Sequence, residues 1–280
     1  MRGSPIYREF APRAVLGEFV HCVWTFTAPP DATPQPIAPD GRPELIVHCG
    51  QPYVERATAR IQPPVLFAGQ LTKPLSLAAP SDVALIGVRF RVDGARAFLG
   101  RDVDAATNRR LDLAALHGQA AVTLHNAARE AGGLRQTVEV VQDYVEARVV
   151  DGRVDALVRE AVTRLLAGEE VCALGVSERQ LQRRFKAHVG VSPRALQTIL
   201  RFRRVFDAIE QPETSGWVEA ALDAGYFDQP QMARDFRRFL GCTARDWAAQ
   251  RTGLAKALTV SVQALDTMSD GYKKSGRAFE

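Results

Sequence analysis

No apolar run in this 280-residue chain approaches the 18 or so residues that a membrane-crossing helix needs. Histidine and cysteine are scarce. The four cysteines, Cys22, Cys49, Cys172 and Cys242, have no metal-ligand spacing, so they read as small reduced core residues rather than as disulfides or a zinc site. The five histidines include no pair at i, i+2 or i, i+4; His21 and His48 are 27 positions apart, and His117 and His125 fall in a more helical stretch. Neither a metal site nor a cofactor is expected, and no catalytic residue stands out. The start lacks the charged stretch, apolar segment and small-residue cleavage site of a secretory signal, which favours a cytoplasmic location.

With 46% hydrophobic residues, the chain can build two cores. The expected fold class is α+β in two domains. A β-rich, sandwich or barrel-like domain with trailing helices is assigned to residues 1–131, and a linker or dimerisation helix to 132–152. An all-α domain with two helix-turn-helix units joined by a long helix is assigned to 153–251, and a tail to 252–280.

The helical half carries a duplication. Residues 177–193 overlie 228–244 at a constant shift of 51 positions: Ser177 falls on Asp228, Leu181 on Met232, Arg183 on Arg234, Phe185 on Phe236, Gly190 on Gly241 and Ser192 on Thr243. Ser177 and Gln180 have the spacing of a reciprocal helix cap, which starts a helix near Glu178. At 100° per residue, Leu181, Phe185 and Val189 share one stripe, while Arg179, Gln182, Arg183 and Lys186 project from the other side. Gly175, just upstream, suits the turn of a helix-turn-helix. From Ser177 to Arg204 there are eight Lys or Arg and one acid, Glu178, although the whole chain carries only +4. Such a local patch suits DNA phosphates and, through arginine forks, guanine edges. A solvated basic face explains one isolated helix as well; two capped copies make that reading weaker.

Ser192-Pro193 is a favoured N-cap and N1 pair, and Leu196, Ile199, Phe202, Phe206 and Ile209 then recur at helical spacing. A connecting helix of about 17 residues would be roughly 25 Å long. It could hold both units over major-groove segments about 34 Å apart. Arg201, Arg203 and Arg204 are expected on its basic side. Ser192 and Thr243, with Ser177 and Asp228, are the expected helix caps and candidate phosphate contacts.

The stretches Gly175-Val-Ser-Glu-Arg-Gln-Leu-Gln-Arg-Arg-Phe-Lys186, Gly190-Val-Ser-Pro193, Gly225-Tyr-Phe-Asp-Gln229 and Arg234-Asp-Phe-Arg-Arg-Phe-Leu-Gly241 resemble the C-terminal module of AraC/XylS-type transcription regulators. The resemblance covers about 85 residues and implies a seven-helix domain that binds double-stranded promoter DNA as an activator or repressor, with RNA polymerase as a further partner. It places base and phosphate contacts on Arg179, Gln182 and Arg183 in the first unit and on Gln229, Gln231 and Arg234 in the second. Lys186 and its counterpart Arg237 complete the outward basic set. Compared with the family pattern, the first scaffold helix looks short, with residues missing between Leu166 and Gly175, and Ala244 replaces a usual Pro. The second unit has Pro230 and Ala233 where the first has Arg179 and Gln182, so the first is expected to supply most base discrimination.

In the N-terminal half, Val20, Cys22, Trp24 and Phe26 alternate with His21, Val23 and Thr25, as in a strand buried on one face. Residues Pro29–Pro43 read as a Pro-rich loop with an Asp40-Gly41 turn. Leu45–His48, Val65–Ala68 and Ala84–Phe90 read as strands, followed by a short helix ending at Gly100, and Leu111–Ala131 reads as helical up to Gly132-Gly133. Tyr7–Pro12, Pro39-Asp-Gly41, Glu44-Leu-Ile46 and Gly87–Phe90 resemble an N-terminal domain found in this regulator class, whose small-molecule effector is generally uncharacterised. Asp40, Glu44 and Arg89 are the candidate effector contacts, although Asp40 also fits a turn and Arg89 a solvent-facing strand position. Leu134, Val138, Val141, Val145 and Val149 form a heptad-like seam that serves either an intramolecular core or a homodimer. A second class of reading stays open: a β-barrel ligand-binding or metal-dependent enzyme domain with a helical docking module that no longer reads DNA.

Overall fold

The computed structural model describes residues 4–149, 152–171, 174–209 and 217–249, with side chains omitted at 206–209, 217–219 and 248–249. The expected tail at 252–280 and Cys172 lie outside the described residues, as do the side chains of Phe206 and Ile209.

The N-terminal half contains β1 (Ile6–Phe10), β2 (Val20–Ala28), β3 (Asp31–Ile37), β4 (Glu44–His48), β5 (Val54–Glu55), β6 (Arg60–Ile61), β7 (Val65–Ala68), β8 (Leu75–Ala79), β9 (Val83–Phe90) and β10 (Arg110–Asp112). They form two antiparallel sheets, ordered β1-β2-β9-β4-β7-β10 and β3-β8-β5-β6, and the sheets do not close into a barrel. The three apolar runs expected as strands became β4, β7 and β9.

β2 corrects the one-face expectation. Val20 and Val23 belong to the core under the helices, whereas Cys22, Trp24 and Phe26 belong to a second core facing the smaller sheet. A register shift between Val20 and Cys22 allows two residues of opposite parity to share a side. β2 lies second in its sheet with cores on both faces, so Val23 is as buried as Trp24. The expected Pro29–Pro43 loop contains β3. This strand lies at the edge of its sheet, where Pro34 and Pro36 cost no central-ladder hydrogen bond.

The short helix α1 (Ala95–Leu99) ends on left-handed Gly100. The stretch expected to be helical from Leu111 starts as β10, then forms α2 (Leu113–His117) and α3 (Gln119–Glu130) with Gly118 between them at φ +58°. α4 (Leu134–Val149) turns the heptad-like seam inward: Val138, Val141, Val145 and Val149 lie in the same core as β2, β4 and β9.

The C-terminal half contains α5 (Ala156–Leu166), α6 (Glu178–Val189), α7 (Pro193–Ile209), α8 (Trp217–Asp223), α9 (Gln229–Leu240) and α10 (Ala244–Ala249). α7 has the expected 17 residues. It borders two cores, one with α5 and α6 through Leu196, and one with α8, α9 and α10 through Ile199, Phe202 and Val205. α5 has 11 residues, and Val158, Ala161, Val162 and Leu165 pack with Leu181, Phe185 and Val189 beneath α6.

The two halves are packed together. Val92, just after β9, joins the α5–α6 core, and Ala38 packs against the α8–α10 core. Arg159 on α5 forms an ion pair with buried Asp93 and donates a 2.9 Å hydrogen bond to the Glu18 carbonyl.

Candidate nucleic-acid interface and inter-domain pocket

The start of α6 is fixed by its own side chains. Ser177 Oγ accepts from the Gln180 backbone N–H at 3.3 Å, and Gln180 Oε1 accepts from the Ser177 N–H at 3.2 Å. Both donors of a helix end that would otherwise be left open are satisfied. Glu178 and Gln182 are also joined, with Gln182 Nε2 donating to Glu178 Oε1 at 2.9 Å. Arg179, Gln182, Arg183 and Lys186 are exposed, while Leu181, Phe185 and Val189 are buried.

α9 begins on Asp228, whose carboxylate accepts from the Gln231 N–H at 2.6 Å; Gln231 Oε1 in turn accepts from the Phe227 N–H at 3.1 Å. Gln229, Arg234 and Arg237 are exposed and Gln231 is half-buried, so Gln231 is partly committed to the cap. Ser192 caps α7 by accepting from the Ala195 N–H at 3.2 Å, and Thr243 caps α10 by accepting from the Asp246 N–H at 3.1 Å. Each of the four expected caps therefore binds its own helix start.

The basic cluster divides into two groups. Arg179, Arg183, Lys186 and Arg194 face solvent. Arg184 pairs with Asp155 at 2.6 Å, Arg201 pairs with Asp235 at 3.2 Å, Arg204 lies 3.5 Å from the Leu166 carbonyl, and Arg203 is buried. This corrects the expectation that Arg201, Arg203 and Arg204 line a basic outer side of α7. Arg201 ties α7 to α9 through Asp235 and is also stacked 4.5 Å over the Tyr226 ring. Periodicity marked these positions as one face but could not tell solvent from a neighbouring carboxylate.

His188 is buried near the end of α6, 3.8 Å from Asp155. Burial, reinforced by Arg96, lowers its pKa, while Asp155 and Asp102 oppose that shift.

The second feature is a cavity of about 100 Å³ between the two sheets. Trp24, Glu44 and Arg89 line it from the larger sheet, Ile37 and Leu77 from the smaller one, and the Pro39–Arg42 turn stands at its edge. Arg203 of α7 and Trp247 of α10 complete the wall, so the helical half covers a pocket of the β-rich half.

Asp40, Glu44 and Arg89 meet at this pocket. Arg89 is 2% exposed, which overturns its expected solvent-facing position. Its Nε lies 2.9 Å from Glu44 and 3.5 Å from Asp40, and Nη1 lies 3.4 Å from Glu9. Asp40 accepts from the Arg42 N–H at 3.0 Å in its turn and also faces Arg89. Trp24 donates to Glu44 Oε1 at 3.1 Å and stacks on Tyr7. Burial pushes the Glu44 carboxyl up to about 7, Arg89 opposing and Asp40 adding to the shift. Glu9 and Trp24 were not singled out from sequence as candidate contacts; the alternation of β1 and β2 places them but does not reveal that Glu9 reaches Arg89 and Trp24 reaches Glu44.

Among the described residues, no group of three His, Cys, Asp or Glu could hold a metal ion, and no helix is long and apolar enough to cross a membrane.

A helix-turn-helix domain model matches residues 172–250, and a model described as a domain of unknown function matches residues 8–112. No curated protein matches. Similar solved structures include ToxT from Vibrio cholerae O395, at 10% identity over 90% of this chain and 98% of that one, with a TM-score of 0.42. Another is ToxT from the same source bound to (E)-4-(8-methylnaphthalen-1-yl)but-3-enoic acid, at 10% identity over 88% and 98% of the two chains, with a TM-score of 0.42.

Proposed function

We propose, for a chain that joins an AraC-type helix-turn-helix domain to a domain of unknown function, sequence-specific readout of promoter DNA by two recognition helices under the control of a small effector. DNA-binding transcription regulation is the general function of the chain; the division of labour and the effector are the proposal. The observation that carries it is the exposed set Arg179, Gln182, Arg183 and Lys186 on a helix whose start is doubly capped and whose opposite face is buried. Rigid presentation of guanidinium and amide donors suits guanine and adenine edges in a major groove. α9 offers Gln229, Arg234 and Arg237, with fewer donors toward bases and more toward phosphates.

Effector control is supported by where the pocket lies. A ligand beside Glu44 and Arg89 would touch Arg203 and Trp247, and so would change how the helical half sits on the β-rich half. We read the β-rich half as a sensor and not as an enzyme.

The test is retardation of duplexes from the region upstream of the protein's own gene across a salt series. A regulator gives complexes that survive excess nonspecific DNA and weaken steeply with salt. Complexes that disappear under competitor at all salt concentrations would remove sequence-specific readout.

A further inference from the structure

The side chain of Phe227 is 90% exposed, the most exposed large apolar side chain among the described residues. It stands one position before Asp228, the N-cap of α9. An apolar residue at that place normally packs on the residue four positions into the helix, here Met232. That staple is not made: Met232 is buried in the core of the second unit while Phe227 projects into solvent. The corresponding residue of the first unit, 51 positions earlier, is Val176, which is half-buried and packs on its own core. The units therefore differ in what they show at the start of the recognition helix.

Phe227 is also held firmly. Its backbone N–H donates to Gln231 Oε1 at 3.1 Å and the next residue's carboxylate accepts from the Gln231 N–H, so the segment carrying the ring is tied into the helix cap. Next to it in the chain Gln229 and Pro230 are exposed, Arg234 and Arg237 are exposed further along α9, and the adjacent acid, Asp228, is used by the cap. The start of α9 thus presents an apolar ring beside an amide, on a helix whose exposed side carries Arg234 and Arg237, which is complementary to a polyanion carrying apolar points. The major-groove edge of a base pair has one apolar group, the thymine C5-methyl, and the first residues of a recognition helix are those that reach base edges.

We propose that Phe227 is a specificity-determining residue that packs on a thymine methyl group in the segment read by the second unit. The inference rests on the DNA-reading function above. Donor-poor α9 then discriminates sequence through apolar contact, where α6 uses hydrogen bonds.

The experiment uses the full chain and duplexes selected by it from a random pool. Each thymine in the protected segment is replaced in turn by uracil, which deletes only the methyl, and wild type is compared with Phe227→Ala and Phe227→Leu. At one thymine, wild-type affinity should fall about fourfold, the equivalent of one buried methyl. Phe227→Ala should bind the thymine and uracil duplexes equally, and Phe227→Leu should keep part of the preference. Uracil penalties identical in wild type and Phe227→Ala, or absent at every position, overturn the inference. Wild-type affinity in Phe227→Ala with loss of transcriptional activation also overturns it and assigns the ring to a protein partner. If Arg183→Ala and wild type both select no sequence at all, the regulator reading itself has failed.

Discussion

Thr107 in the β-rich half donates a 2.6 Å hydrogen bond to the carbonyl oxygen of Gly190, the residue that ends α6. The end of α6 is thereby clasped by the β-rich half. Gly190 has φ +92°, and a Cβ there would stand 3.1 Å from Thr107 Oγ1 and 3.3 Å from Val103. Thr107→Val keeps the shape and deletes the donor. It should lower stability in urea unfolding by about 1 kcal/mol and raise amide exchange around residues 190–192. Gly190→Ala adds left-handed strain of about 1–2 kcal/mol to a tight contact and should be the more damaging of the two. An unchanged unfolding midpoint in both variants would show that the clasp contributes nothing.

Arg183 and Arg234 occupy equivalent exposed positions in the duplicated units, but their surroundings differ. Arg183 has Arg179 and Gln182 beside it as further donors, and Arg234 has Pro230 and Ala233. Arg183→Ala should flatten discrimination between a selected site and single-base variants, each normally separated by about 1–3 kcal/mol. Arg234→Ala should weaken binding to all duplexes alike and reduce the slope of log affinity against log salt by about 1. Binding titrations at several salt concentrations decide between these patterns. The reverse assignment, with discrimination lost in Arg234→Ala only, would sink the asymmetry.

The C-terminal half was legible because each signal was local. Ser177–Gln180, Asp228, Ser192-Pro193 and the 3.6-residue spacing of Leu181, Phe185 and Val189 depend on neighbours within one or two turns. The β-rich half was less so. Strand β3 was hidden by its prolines, since whether a strand sits at an edge is decided by pairing with distant β8. The two-sided burial of β2 needed a register shift that no alternation pattern contains. Asp40, Glu44 and Arg89 could be named as polar candidates, but nothing local shows that Arg89 is buried and also meets Glu9, 80 positions away. Arg203 was misassigned for the same reason: only the packing of one half on the other turns that face of α7 inward.

Asp235 ties the second unit together. It accepts from the Tyr226 hydroxyl at 2.9 Å and from Arg201 at 3.2 Å, joining α9 to α7 and to the turn before it. Burial and the Asp235 charge push the Tyr226 pKa up, so Tyr226 stays a donor at any working pH. Asp235→Ala removes the acceptor that serves both groups and should cost about 2–3 kcal/mol. The unfolding midpoint measures the cost. Asp235→Asn, which keeps an acceptor, should recover part of it. A surface-like effect in the Ala variant would mean that the network is rearranged at no cost.

Glu44 and His21 should give opposite pH dependences. The Glu44 carboxyl is raised to about 7 against an ordinary value near 4.5, chiefly by burial. Between those values the folded chain holds a proton that the unfolded chain releases, so this residue's contribution to stability falls as pH rises through the window. His21 is lowered to about 3 by burial and by the positive charges of Arg42, Arg89 and Arg91. Between about 3 and 6.5 the unfolded chain takes up a proton that the folded chain refuses, so its contribution rises with pH. Unfolding midpoints from pH 4 to 8 should therefore show a steeper acid-side rise in Glu44→Gln than in wild type and a shallower one in His21→Gln. At 1.36 kcal/mol per pKa unit, wild type should lose roughly 3 kcal/mol at most relative to Glu44→Gln between pH 4.5 and 7. Parallel curves for wild type and Glu44→Gln would show that Glu44 ionises in the fold as it does in water, and that Arg89 and the indole of Trp24 offset its burial completely.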